Sequence, residues 1–143
     1  MLNVSALYKI ANEQNIEVLE FSMPVNESMS VMDYDGKCYI GIDPTIKDGG
    51  PQERVHMAHE LGHCATGSFY SIHTAIDSRQ RHENRADKWA VRQLITEDAL
   101  DEAVAEGCTE IWALAERFGV TEQFIKKAIC LYVHGNVAEE LYF

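Results

Sequence analysis

Five consecutive residues, His59-Glu60-Leu61-Gly62-His63, have the types and spacing of a zinc hydrolase site. Two histidines four apart lie just over one helical turn from each other, so both imidazoles leave the same face and can grip one ion at about 2.0–2.1 Å. Glu60 points in a neighbouring direction, where it can take a proton from an activated water as general base. Metal-assisted hydrolysis also needs a third ligand and an open fourth position.

Glu83-Asn84-Arg85-Ala86-Asp87 supplies candidates, two carboxylates at i and i+4 on one helical face. Glu83 completes a His/His/Glu set for Zn(2+). Asp87, one turn on, can accept from the non-ligating nitrogen of His59 and fix that ring's tautomer. The plainer reading is an acidic face paired with Arg79, Arg81 or Arg85. His82 is a rival ligand, but it points about 100° from Glu83 on a helix and leaves Asp87 without a role. His56 shares the histidine face and is either a substrate contact or a surface histidine. Tyr70 and His73 are candidates for stabilising an oxyanion, against ordinary loop residues.

These side chains need a scaffold. Leu2 to Gln14 carries apolar residues at helical spacing, with Asn15 able to end the helix. Residues 16–21 alternate as a strand closed by Pro24, and the runs Met29–Tyr34 and Lys37–Ile42 flank Asp35-Gly36, a tight-turn dipeptide. A three-stranded antiparallel sheet is expected. Pro51 suits the first position of a helix running to about Thr66, with Gly67 near its end. A loop to about Arg79 and a helix over roughly 80–95 follow. Thr96, Thr109 and Thr121 are candidate N-caps for three short C-terminal helices, and Gly107 and Gly119 stand where helices end. The expected architecture is α+β: a small antiparallel sheet on a zincin-like helical core. It forms one domain over 1–143, with helix and sheet in 1–50, metal-site helices in 51–95 and C-terminal helices in 96–135.

The order of the hairpin, Ala58-His59-Glu60-Leu61-Gly62-His63 and Glu83-Asn84-Arg85-Ala86-Asp87-Lys88-Trp89-Ala90 resembles the ImmA/IrrE family of zinc metallopeptidases. Trp112-Ala113-Leu114-Ala115 and Phe118-Gly119-Val120-Thr121 resemble that family's C-terminal helices, so the likeness covers nearly the whole chain. It implies metal ligands at His59, His63 and Glu83, a catalytic Glu60, and Asp87 at the family's Asn/Asp position. Thr96 departs from the proline with which many relatives end the metal helix, and leaves the site untouched. Family members are commonly encoded by phages, mobile elements and stress operons, and several cleave a helix-turn-helix repressor. The resemblance therefore implies a gluzincin-like regulatory protease with such a repressor as its partner.

Composition narrows the alternatives. Twelve basic against 23 acidic side chains leave a net charge of −11, which repels nucleic acid and anionic lipid. The N-terminus lacks a basic region followed by an apolar run, and no stretch is long enough to span a bilayer, so the cytoplasm is expected. Cys38, Cys64, Cys108 and Cys130 form no C-x-x-C pair and read as reduced, buried thiols. Residues 114–124 also have the helix, glycine turn and helix of a DNA-binding motif, with Lys126 and Lys127 the only cations of its recognition helix, although Glu116 and Glu122 oppose phosphate. A non-catalytic metal-containing module that holds a repressor, or DNA, through those helices is the alternative.

Overall fold

The computed structural model describes residues 2–71 and 73–143. In chain order they form α1 (Val4–Glu13), β1 (Glu17–Glu20), β2 (Ser28–Met32), β3 (Cys38–Ile42), α2 (Pro51–Thr66), α3 (Ile76–Leu94), α4 (Glu97–Ala105), α5 (Ile111–Phe118) and α6 (Glu122–His134). The class is α+β, as expected. Asn3 opens α1 by accepting from the Ala6 N–H at 2.8 Å, and Asn15 ends its turn in the left-handed region at φ 57°.

The sheet is mixed and not antiparallel throughout. Its order is β1-β3-β2, with β2 antiparallel to β3 and β1 parallel to it. The cause is the connection over residues 21–27, too long for a hairpin, which crosses the end of β3 and leaves β1 and β2 on opposite edges. Phe21 N–H donates to Ile42 O, Met23 N–H to the Asp43 carboxylate and Asp43 N–H to Glu27 O. A Cβ on Gly41 would lie 2.7 Å from the half-exposed Phe21 ring, so a side chain there would displace that ring. The β2–β3 turn differs in detail from the tight form. Among its residues Gly36 takes a positive φ of 84° and Asp35 does not, while the Asp33 carboxylate accepts from the N–H groups of Asp35 and Lys37.

Helix α2 starts at Pro51 and ends on left-handed Gly67. Its apolar periodicity is weak because it is buried on several sides, and its charged residues are buried with partners. Glu53 accepts from Tyr8 Oη at 2.7 Å and Gly49 N–H at 2.9 Å, while Arg54 donates to the carbonyls of Leu2, Phe118 and Gly119. Met57, Ala58 and Leu61 join Leu7, Ile40, Ile42, Val91, Ile95, Leu114 and Ile125 in one continuous core. Burying each large aliphatic side chain contributes about 1.5–3 kcal/mol, so the core has far more at stake than the exposed ion pairs.

Three other expectations shift. Helix α3 begins at Ile76, about a turn earlier than the periodicity indicates, because its first turns project past the core and its buried residues start at Ala86. Thr96 and Thr121 cap α4 and α6, but the N-cap of α5 is Glu110, one residue beyond Thr109. Cys38 and Cys64 are joined in a disulfide with Cα atoms 6.0 Å apart, whereas Cys108 and Cys130 are free. Folding, not spacing, brings the end of β3 against the metal-motif helix. Among the described residues no helix is long and apolar enough to cross a membrane.

Candidate metal centre

The site is organised around one close helix crossing. A Cβ on Gly62 would sit 2.6 Å from Ala86 O and 3.0 Å from Ala86 Cα, so α2 and α3 meet there with almost no space between them. His59 and His63 lie three before and one after Gly62, and Glu83 and Asp87 lie three before and one after Ala86. One small-residue contact thus aligns all four side chains.

The imidazoles converge through their Nε2 atoms, 3.2 Å apart, with the rings nearly perpendicular at 84°. Both Nδ1 atoms are tied away from that point. His59 Nδ1–H donates to Asp87 Oδ1 at 2.7 Å, and His63 Nδ1–H to Ser68 O at 2.5 Å. The Glu83 carboxylate faces both rings, with Oε2 2.8 Å from His59 Nε2 and Oε1 3.2 Å from His63 Nε2.

Two nitrogens each about 2.05 Å from a tetrahedral ion stand roughly 3.3 Å apart. The observed 3.2 Å separation, the outward-tied Nδ1 atoms and the N/N/O donor set therefore fit a divalent metal ion of zinc's size.

The electrostatics follow from burial and these partners. Burial acts to lower the His59 pKa, but hydrogen bonds to Asp87 and Glu83 outweigh it and push the ring up to about 10. The same balance of burial against Glu83 raises His63. Burial works against Glu83 and Asp87 as carboxylates, yet the histidines hold both below the usual range, with Lys127 assisting at Asp87.

Glu60 is buried beside the imidazoles; a carboxylate oxygen of Glu60 and the nitrogens of His59 and His63 all lie within 4.8 Å of one another. Both its oxygens are already engaged by β2. Ser28 Oγ donates to Oε2 at 2.6 Å and Ser30 Oγ to Oε1 at 2.8 Å. His56 Nδ1 lies 2.6 Å from Ser28 Oγ and its Nε2 3.3 Å from Glu27, so His56 is partnered along the cleft wall.

Tyr70 reaches the site, its hydroxyl donating to Glu83 Oε1 at 2.8 Å. His73 does not: it is exposed in a turn, outside the residues that line the cleft. His82 stacks against Tyr70 at 6.1 Å and makes no contact with His59 or His63 among the described interactions. Lys127 of α6 donates to Asp87 Oδ2 at 2.9 Å.

Four of these participants escape sequence reasoning. Ser68 follows the helix-ending Gly67, which turns its carbonyl back onto His63. Lys127 is 40 residues from Asp87 and reads as a surface cation. Ser28 and Ser30 point inward while their neighbours Met29 and Val31 are exposed, the reverse of the usual strand pattern. The sequence carries only the alternation of serine with apolar residues, which by itself points to the opposite face being buried.

These groups line a cleft of about 810 Å³ bordered by β2, residues 68–71 of the loop before α3, and the start of α6. No curated protein matches the chain significantly. A family model described as the IrrE N-terminal-like domain, peptidase family M78, matches residues 11–129, from the end of α1 through most of α6. That match takes in the sheet, both histidine-bearing turns of α2, the carboxylates of α3 and Lys127, and by it the chain belongs to the IrrE N-terminal-like family of metallopeptidases.

Proposed function

We propose that this protein is a zinc-dependent endopeptidase that cleaves a helix-turn-helix transcriptional repressor, with His59, His63 and Glu83 as ligands and Glu60 as general base. The observation that carries the reading is the convergence of both Nε2 atoms and both Glu83 oxygens, at 2.8–3.2 Å, on the floor of an open cleft.

Bound zinc supplies Lewis acidity that makes water nucleophilic near neutral pH and polarises a carbonyl. Glu60 takes the proton of the attacking water and delivers it to the leaving amine, which requires its carboxylate to face the cleft and stay off the ion. Asp87 and the Ser68 carbonyl hold the two rings in the tautomer that presents Nε2. Tyr70 is the candidate donor to the developing oxyanion. Burial and Glu83 push its phenol up to about 12, so it keeps its proton at neutral pH.

Strand β2 is an edge of the sheet and lines the cleft through Ser28–Val31. An extended peptide can add to it through backbone hydrogen bonds. A net charge of −11 favours encounter with a basic, DNA-binding protein and opposes DNA itself. Engagement of Lys127 by Asp87 removes one of the two cations a recognition helix would offer.

Incubating the zinc-loaded protein with the repressor encoded beside its gene should yield two fragments, with sequencing locating a single bond. Glu60→Gln should retain zinc and lose at least about 100-fold in turnover. Capture of intact repressor by both proteins would instead support the non-catalytic module, and full turnover by the variant would remove Glu60 from the mechanism.

A further inference from the structure

Two glutamates border the same pair of imidazoles, and in the sequence only helical direction and family resemblance separate the ligand from the base. Glu83 faces both rings directly. Glu60 also lies within ligand range of them, but each of its oxygens accepts a hydroxyl proton from β2, Oε2 from Ser28 and Oε1 from Ser30. Ser28 and Ser30 stand at i and i+2, opposite Ile42 and Ile40 of β3, so both project onto the face that packs on α2.

Resting on the peptidase reading above, we infer that Ser28 and Ser30 are positioning residues that hold Glu60 out of the coordination sphere and keep it as a base. Each serine occupies one lone-pair direction on one oxygen and leaves the other toward the cleft. The hold is reinforced behind Ser28. That hydroxyl has one proton, given to Glu60, so His56 Nδ1–H donates to its lone pair. The chain His56, Ser28, Glu60 fixes one oxygen and Ser30 the other. Because β2 is also the edge offered to an extended peptide, docking on this strand and alignment of the base involve the same residues.

Removing both hydroxyls frees a carboxylate already within reach of the ion. In the Ser28→Ala/Ser30→Ala protein Glu60 should enter as an added ligand, raising the coordination number.

The test loads full-length protein with Co²⁺ alone and records its visible d–d absorption, together with its affinity by competition against a chelator. The double alanine variant should show weaker, shifted bands and several-fold tighter binding. Adding Glu60→Gln should restore the wild-type spectrum, and Ser28→Thr/Ser30→Thr should preserve it. In parallel, turnover of a quenched-fluorescent peptide library should fall roughly 10–100-fold in kcat for the alanine variant, with KM within about two-fold and recovery in the threonine variant. A spectrum and affinity unchanged by the alanines, or a change that persists with Glu60→Gln, would overturn the inference. If the wild type hydrolyses no peptide, the endopeptidase reading fails while the cobalt spectra still decide whether the serines restrain Glu60.

Discussion

His59 is held by two carboxylates, Glu83 and Asp87, and its behaviour without metal is predictable. Its pKa of about 10 lies above the ordinary 6.5, so the contacts to Glu83 and Asp87 contribute stability fully below about pH 6.5 and lose it as pH rises toward 10. Glu83, held below its ordinary 4.5 by the histidines, contributes above that value and loses its share as pH falls. These are two views of one ion pair and are not additive. Chelated protein should therefore have its highest Tm between about pH 5 and 7 and become less stable toward pH 10. Zinc-loaded protein should lack that alkaline decline, because the ion needs neutral imidazoles, and its binding near pH 7 should release protons. Thermal melts across pH, and calorimetry in two buffers of different ionisation enthalpy, read both effects. A flat alkaline profile for the chelated protein would contradict the assigned pairing. At this scale the spacing of His59, Glu60 and His63 identified the metal chemistry, and Glu83 with Asp87 followed from a second helical period. Ser68 and Lys127 did not, because a carbonyl and a lysine carry no motif until folding aims them.

The decisive element contact is the crossing of α2 with α3. A glycine in a helix interior costs about 1 kcal/mol relative to alanine, so local propensity alone favours Gly62→Ala. The structure reverses that sign, since the new methyl would meet the Ala86 backbone at 2.6–3.1 Å, and backbone cannot swing aside as a side chain does. Gly62→Ala should lower stability by about 1–3 kcal/mol, read by chemical denaturation, and weaken metal binding because His59 and His63 move with the displaced helix. A stabilised variant would show that the crossing is not close-packed. Helix α3 also shows why its start was hard to read. Periodicity reports contact with the core, and the turns before Ala86 have little, with Ile76 81% exposed. The sheet topology was hidden for a different reason. Alternation locates strands but not their neighbours, and the parallel β1–β3 pair depends on the path of residues 21–27 across the end of β3.

Across the whole molecule, distant segments are tied to α2 and α3. Arg54 reaches carbonyls near both the N-terminus and the end of α5, Lys127 joins α6 to Asp87, and Cys38–Cys64 links β3 to the residue after His63. A loop of 26 residues closed by that disulfide removes unfolded-state entropy worth roughly 3–4 kcal/mol. Reduction with a phosphine that spares the metal should lower Tm by on the order of 10 °C. An unchanged Tm, with free thiols verified by alkylation, would show that the bond does not restrain the unfolded chain. Read alone, the sequence determined the α+β class, most helix limits and the metal motif, because turn chemistry, caps and helical periods act over a few residues. Tertiary structure alone decided the mixed sheet, the disulfide, the exclusion of His73 and the serine pair on Glu60. Each of those depends on which surfaces come together, and residues 22 to 32 positions apart, in the parallel strands, the disulfide and the serine contacts, acquire their roles only when the core packs.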